Sequence, residues 1–246
     1  MACSLIRIGT SGWTYDHWKG RFYPEGLARR KWLEHYASVF DTVEINATFY
    51  RIPKVSVFEG WYGRTPEGFG FALKVSRLIT HVRLLKECEN EIGWFFENAR
   101  PLREKTCACL FQLPPAFSPE PGLLSEFISS LPEGWRYVFE FRNGACYGEE
   151  MLDVLRKHRV GFCIHDYPGR ESPLGVTADM VYVRFHGAGA RYAGSYPAYV
   201  LERWAERILK WGESGKDVYA YFNNDAGGEA VQNALALREL LRPPTR

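Results

Sequence analysis

Four pairs of polar residues stand two positions apart in this chain: Glu44 and Asn46, Lys74 and Ser76, Glu140 and Arg142, Arg184 and His186. Each pair falls in the C-terminal half of a short apolar run. Gln112, His165 or Asp166, and Asn223 or Asn224 end three further runs. A spacing of two puts both members of a pair on one face of a strand. Carboxylates set among cations in this way suit general acid–base chemistry, with neighbours driving their proton affinities apart. Glu140 and Glu44 are the candidate acid and base, and His186 can shuttle a proton. Arg142, Arg184 and Lys74 suit an anion, or negative charge that develops during a reaction. Asn46, Asn223, Asn224 and Trp13 complete the expected binding set. The plain alternative is a compensated charge cluster that only fills space, but burying ions seldom improves on apolar packing.

The runs that carry these residues are strand-like, at 6–10, 42–46, 71–76, 107–112, 137–141, 161–165, 181–186 and 218–222. Seven helical periodicities alternate with them. One has Leu33, Tyr36, Ala37 and Phe40 on a face, another Val55, Phe58 and Tyr62, and a later one Val200, Trp204, Ile208 and Trp211. Between Tyr167 and Met180 the prolines Pro168 and Pro173 interrupt the chain, and no helical face can be drawn. Parallel strands need crossover helices, so strict alternation predicts a parallel sheet. Eight such units in 246 residues predict an α/β fold, a closed (β/α)8 TIM-type barrel with a weak or missing sixth helix. No linker or change in composition divides the chain, so residues 1–246 are expected to form a single domain. In that fold the polar pairs make two layers at the C-terminal mouth. The deeper holds Glu44, Lys74, Glu140 and Arg184, and the upper holds Asn46, Ser76, Gln112, Arg142, His186 and Asp166.

Composition agrees with a folded globule: 46% of residues are hydrophobic, 24% are charged, and the formal net charge is +2. Disorder and coiled coil are thereby disfavoured, and no bulk charge draws the chain to nucleic acid or acidic membranes. No apolar run has the ~20 residues of a membrane span. No basic-then-apolar leader opens the sequence, so a cytoplasmic location is expected. The six cysteines include Cys107 and Cys109 on one strand face, and are expected to be buried, reduced thiols.

The loop over residues 9–23 holds Trp13, Tyr15 and Trp18. These could stack on a sugar or a base, or fold the loop onto itself as a plug. Glycine-rich loops at 187–194 and 225–228, with Arg191, resemble the phosphate-binding turns of barrels and favour an anionic ligand over a neutral one. Glu140, Asp166 and His186 could hold a divalent metal, although Arg142 and Arg184 oppose a cation; no cofactor is expected. His17, His35, His81 and His158 read as surface or capping histidines, and Arg29 to Lys31 as a solvated basic run. No Walker loop, dinucleotide fingerprint or nucleophile elbow is present.

Six stretches carry a resemblance. They are Ile8-Gly-Thr-Ser-Gly-Trp13, Glu44-Ile-Asn-Ala-Thr-Phe-Tyr50, Phe71-Ala-Leu-Lys-Val75, Phe139-Glu-Phe-Arg142, Tyr182-Val-Arg-Phe-His-Gly187 and Tyr221-Phe-Asn-Asn-Asp225. In this order they resemble the YecE-like barrels, domain of unknown function 72. The resemblance implies a TIM-type barrel and no particular activity. Its shared polar positions match Glu44, Asn46, Lys74, Glu140, Arg142, Arg184, His186, Asn223 and Asn224. Members often carry His-x-Ser-Trp after the matching arginine, where this chain has Asn143-Gly-Ala-Cys146.

The functional expectation is an enzyme, hydrolase-like, acting on a small anionic ligand of phosphorylated or sugar-like character. The alternative is a non-catalytic module that binds nucleic acid or a nucleotide through the aromatic loop; nucleic acid is the less favoured partner. No membrane partner is expected, and the oligomeric state is open.

Overall fold

A computed structural model of the chain describes residues 4–167, 170–189 and 192–242. In chain order the elements are β1 (Ile6–Thr10), α1 (Trp32–Val39), β2 (Thr42–Ile45), α2 (Ala47–Tyr50), α3 (Val55–Gly63), β3 (Gly70–Lys74), α4 (Glu89–Ala99), β4 (Thr106–Leu113) and α5 (Pro121–Ser129). There follow β5 (Tyr137–Phe141), α6 (Glu149–Lys157), β6 (Gly161–Tyr167), β7 (Arg170–Glu171), β8 (Met180–Phe185), α7 (Ala198–Glu213), β9 (Asp217–Phe222) and α8 (Glu229–Leu240). All eight expected strands are present. Among the described residues no helix lies between β6 and β8. The short β7 pairs with it antiparallel instead, through Asp166↔Glu171 and Tyr167↔Arg170. The fold is the expected (β/α)8 barrel, lacking a sixth helix among the described residues.

The chain forms two compact units. The first comprises Met1–Val43, Ile164–Ser172 and Asp179–Arg246, the second Glu44–Cys163 and Pro173–Ala178. In the second unit β3, β4, β5 and β6 pair in sequence, all parallel. Strands of a parallel sheet are covered on both faces and so are nearly continuous in apolar residues. Phe111 and Phe139 stack at 4.9 Å, and Phe127 meets Phe111 edge-on at 5.4 Å. Where β6 would lead into a helix, Thr177 holds the chain down: its Oγ1 accepts from Phe162 N–H at 2.8 Å and donates to Val160 O at 2.6 Å. In α3 the buried face is Phe58 and Trp61, not Val55 and Tyr62, which are exposed. Val55 opens the helix and overhangs solvent, while Tyr62 directs its hydroxyl outward to Glu104 at 3.0 Å.

In the first unit β1 pairs with β9 and β9 with β8, again parallel, with Ile6 opposite Val218 and Arg184 opposite Tyr221. Phe185 and Phe222 stack at 4.3 Å and Trp204 meets Phe185 edge-on at 5.0 Å. A second aromatic cluster holds Trp18, Tyr23, Trp32 and Tyr36, all fully buried, with Tyr23 flat on Trp32 at 4.5 Å. Each such side chain contributes ~1.5–3 kcal/mol by burial. Gly9 is obligatory here, because a Cβ at that position would stand 2.3 Å from the Thr42 carbonyl oxygen. Cys88, Cys107, Cys109, Cys146 and Cys163 are buried and unbridged, as expected, and burial pushes the Cys109 thiol well up. No helix among the described residues is long and apolar enough to cross a membrane.

Candidate polar sites at the strand ends

The sequence-predicted residues fall into two groups, one in each unit. In the second unit Glu44, Lys74, Gln112 and Glu140 lie within β2, β3, β4 and β5, all buried. Asn46, Ser76 and Arg142 follow β2, β3 and β5 within two residues. Glu140 is anchored at both oxygens. Arg142 Nε contacts its Oε1, and Gln112 Nε2 donates to its Oε2 at 3.1 Å. The β4–β5 register makes Gln112 and Glu140 direct partners. They therefore stand side by side across the ladder, within reach of the hydrogen bond between them. Lys74 places its ammonium 4.2 Å from the centroid of Phe49, an aromatic of α2. Arg142 and Gln112 thus hold the Glu140 carboxylate from both sides, and charge-assisted contacts of this kind are the strong ones.

Two residues join this group that pattern reading passed over. His81, set down above as a surface or capping residue, is half-buried and packs edge-on against Phe49 at 5.0 Å. Burial, and then Lys74, hold its ring well below the usual histidine range, at about 4; Arg77 and Arg142 add to this and Glu140 opposes it. Tyr147 has its phenol pushed up to about 12 by burial, with the Glu140 charge adding to it. The segment that departs from the family pattern is tied down locally. Asn143 Oδ1 accepts from Ala145 N–H at 3.1 Å, its Nδ2 donates to Phe117 O at 2.9 Å, and Cys146 is buried.

In the first unit Arg184 is the penultimate residue of β8 and His186 follows the strand, both fully buried. Arg184 Nη1 stands 3.3 Å from His186 Nε2. A guanidinium can only donate, so Nε2 accepts and the imidazole carries its proton on Nδ1. Asp166, near the end of β6, accepts from the His186 backbone N–H at 2.9 Å and from the Tyr196 hydroxyl. That hydroxyl in turn accepts from Gly187 N–H at 2.8 Å. Burial raises the Asp166 carboxyl to about 7 against the pull of these donors. A carboxyl that titrates near neutrality at a strand end is suited to proton transfer.

The remaining expected residues are placed as follows. Asn224 is buried and its Nδ2 donates to Gly194 O at 2.9 Å and to Asn233 Oδ1 at 2.8 Å, so its amide links two loops to α8. Asn223 is half-buried just beyond β9, and its backbone N–H donates to Phe185 O at 2.8 Å. Trp13 is half-buried, and its carbonyl accepts from the Tyr23 hydroxyl. Trp18 is buried and donates from Nε1 to Asp225 Oδ1 at 2.8 Å, which makes this part of the aromatic loop a plug. Asp225 Oδ2 meets His17 Nε2 at 2.8 Å, so His17 is an oriented partner rather than a bystander. A cavity of about 230 Å³ beside this pair has Trp18, Arg21, Ser195 and Gly228 in its wall. The turn into α8 is closed by its own carboxylate, since Gly227 N–H donates to Glu229 Oε2 at 3.0 Å. Arg191 lies outside the described residues. Among the described residues no three His, Cys, Asp or Glu side chains gather to hold a metal ion.

Comparison with known proteins agrees with this architecture. The UPF0759 protein YunF of Bacillus subtilis (strain 168) is 29% identical over 274 residues, covering 96% of this chain and 95% of that protein. The crystal structure of a DUF72 family protein from Thermotoga maritima MSB8 is 30% identical, with a TM-score of 0.88 over 96% of this chain and 99% of that one. A DUF72 family protein from Enterococcus faecalis V583 is 25% identical, with a TM-score of 0.83 over 98% of this chain and 97% of that one. The family model described as "Protein of unknown function DUF72" matches residues 7–246. The chain belongs to the DUF72 family and has its (β/α)8 fold.

Proposed function

We propose that the chain is an enzyme that acts on a small anionic ligand by general acid–base catalysis, with hydrolysis as the reaction class. The observation that carries this reading is Glu140, wholly buried at a strand end with Arg142 on one oxygen and Gln112 on the other. Glu44 and Lys74 are buried in the same unit. Keeping so many ions out of water costs several kcal/mol each unless they are paired, and apolar residues of similar volume are often as stable. Barrels of this fold place their chemistry at the C-terminal ends of the strands, where these residues stand. Donors on both oxygens favour the charged form of Glu140, which makes it the base and leaves Glu44 as the acid, the reverse of the order expected from the sequence. Arg142 and Lys74 hold the anion. Arg184, His186 and Asp166 of the first unit form a second proton-handling group, with His186 as shuttle.

The test is a thermal-shift screen of sugar phosphates, nucleotides and simple carboxylates. A ligand at a hundredfold excess over its Kd stabilises the folded state by about 2.7 kcal/mol. One small anion should raise the melting temperature, and R142Q should abolish that rise. Turnover of the same compound should be lost in E140Q. No response to any anion, or full turnover by E140Q, refutes the reading.

A further inference from the structure

The acid–base scheme leaves His81 unused. It lies in a single π-helical turn over Leu78–Val82, directly after the polar end of β3. Such a turn holds one residue more than an α-helical turn, re-aims the side chains that follow, and recurs at functional sites. Ser76 anchors it: its carbonyl accepts from Ile79 N–H at 3.1 Å and Thr80 N–H at 3.3 Å, and its Oγ from Leu78 N–H at 3.3 Å. The result sets His81 on the ring of Phe49, the ring that Lys74 also approaches. Thr80 Oγ1 donates to Ser76 O at 3.4 Å and lies 2.9 Å from His81 Nδ1. The shorter contact holds the ring by Nδ1, with either atom able to donate, so a proton taken up on binding goes to whichever ring nitrogen the neutral form leaves bare.

The charged groups that act on this ring are Lys74 from β3, Arg77 from the start of the turn, and Glu140 and Arg142 from the end of β5. Three cations outweigh one carboxylate, so the field at His81 is positive. Burial does most to keep the imidazole neutral and this positive field adds to it; a positive field is what a dianion seeks.

We propose that His81 is a binding residue for a small divalent oxyanion, a phosphate- or sulfate-like group, and takes up a proton when that anion enters beside Lys74 and Arg142. This rests on the anionic-ligand reading above and gives its ligand a chemical class. An opposite charge within ~4–6 Å shifts an ionisable group by roughly 1–3 units, so the ring rises by about 2 units when the anion is bound. Linkage is reciprocal: the protonated protein then binds the dianion about a hundredfold more tightly than the neutral one. Starting from a ring that titrates at about 4, affinity at pH 5 is about tenfold higher than at pH 8.

Sulfate is the probe, because its charge does not change across this range. Calorimetric titration of the full chain at pH 5, in two buffers of different ionisation enthalpy, counts the protons taken up. The expected result is about 0.8 proton per sulfate and about tenfold weaker binding at pH 8. H81Q should bind sulfate with no His-linked uptake and an affinity that is level with pH. As a measurement free of substitution, the ring nitrogens of His81 in the unaltered protein should show the imidazolium pattern at pH 5 only with sulfate present. Sulfate that binds without proton uptake, uptake that persists in H81Q, or a ring that stays neutral under saturating sulfate overturns this inference and leaves the anion site standing. Sulfate that binds at neither pH overturns both.

Discussion

Replacing Asp166 with asparagine should flatten the dependence of stability on pH. In the folded chain the carboxyl accepts from His186 N–H and from the Tyr196 hydroxyl, yet burial outweighs both donors, and the Glu171 charge adds to the rise. Its proton therefore leaves at about pH 7 in the native state, against 3.8 for an ordinary aspartate. Between those two values the native protein binds more protons than the unfolded chain, so stability falls as pH rises. The contribution is fully present below pH 3.8 and is lost as pH rises through about 7. From pH 5 to pH 8 the loss comes to roughly 3 kcal/mol. Asparagine keeps an oxygen for His186 N–H and carries no charge at any pH. Urea unfolding of wild type and D166N at half-unit steps from pH 5 to pH 8 yields the difference directly. The wild type should lose roughly 3 kcal/mol relative to the variant across that range. A difference that does not vary with pH would refute the burial argument.

Two further outcomes follow from the packing of the first unit. Y196F removes a hydroxyl that accepts from Gly187 N–H and donates to Asp166. It should cost about 1–3 kcal/mol in urea unfolding, through the buried N–H left without a partner, and should move the Asp166 transition to still higher pH. G9A drives a methyl group to 2.3 Å from the Thr42 carbonyl oxygen. The strain of ~1–3 kcal/mol should lower the melting temperature by several degrees in a chain of this size.

The strands were legible because each is a short, mostly apolar run bounded by polar or breaking residues. Tyr137–Phe141 and Ile6–Thr10 could be bounded to the residue. The polar pairs were legible for the same reason, since they interrupt a pattern that should be unbroken. The buried face of α3 was misread: a helical period fits Val55, Phe58 and Tyr62 as well as it fits Phe58 and Trp61, and only the cover overhead decides between them. His81 was missed because a π-helical turn adds one residue and leaves no periodic mark. The chain from Asp166 through Tyr196 to Asn233 and Asn224 was invisible for another reason. Its members are 30, 37 and 9 residues apart in turn, so no local window contains them.

The two units differ in how their segments are drawn from the chain. The second is almost one continuous stretch, and its strands pair with neighbours in sequence. The first takes β1 from one end and closes it on β9, with Ile6 against Val218. During synthesis the second unit can complete its ladders while the remainder is still being made. The ladder between β1 and β9 must wait for β9 to emerge. Long-range pairing of this kind is slow to form and leaves strand edges open in the interval. The first unit, which carries Asp166, Arg184 and His186, is therefore the half whose assembly a chaperone would have most reason to guard, and the half that a stalled or shortened chain would lack.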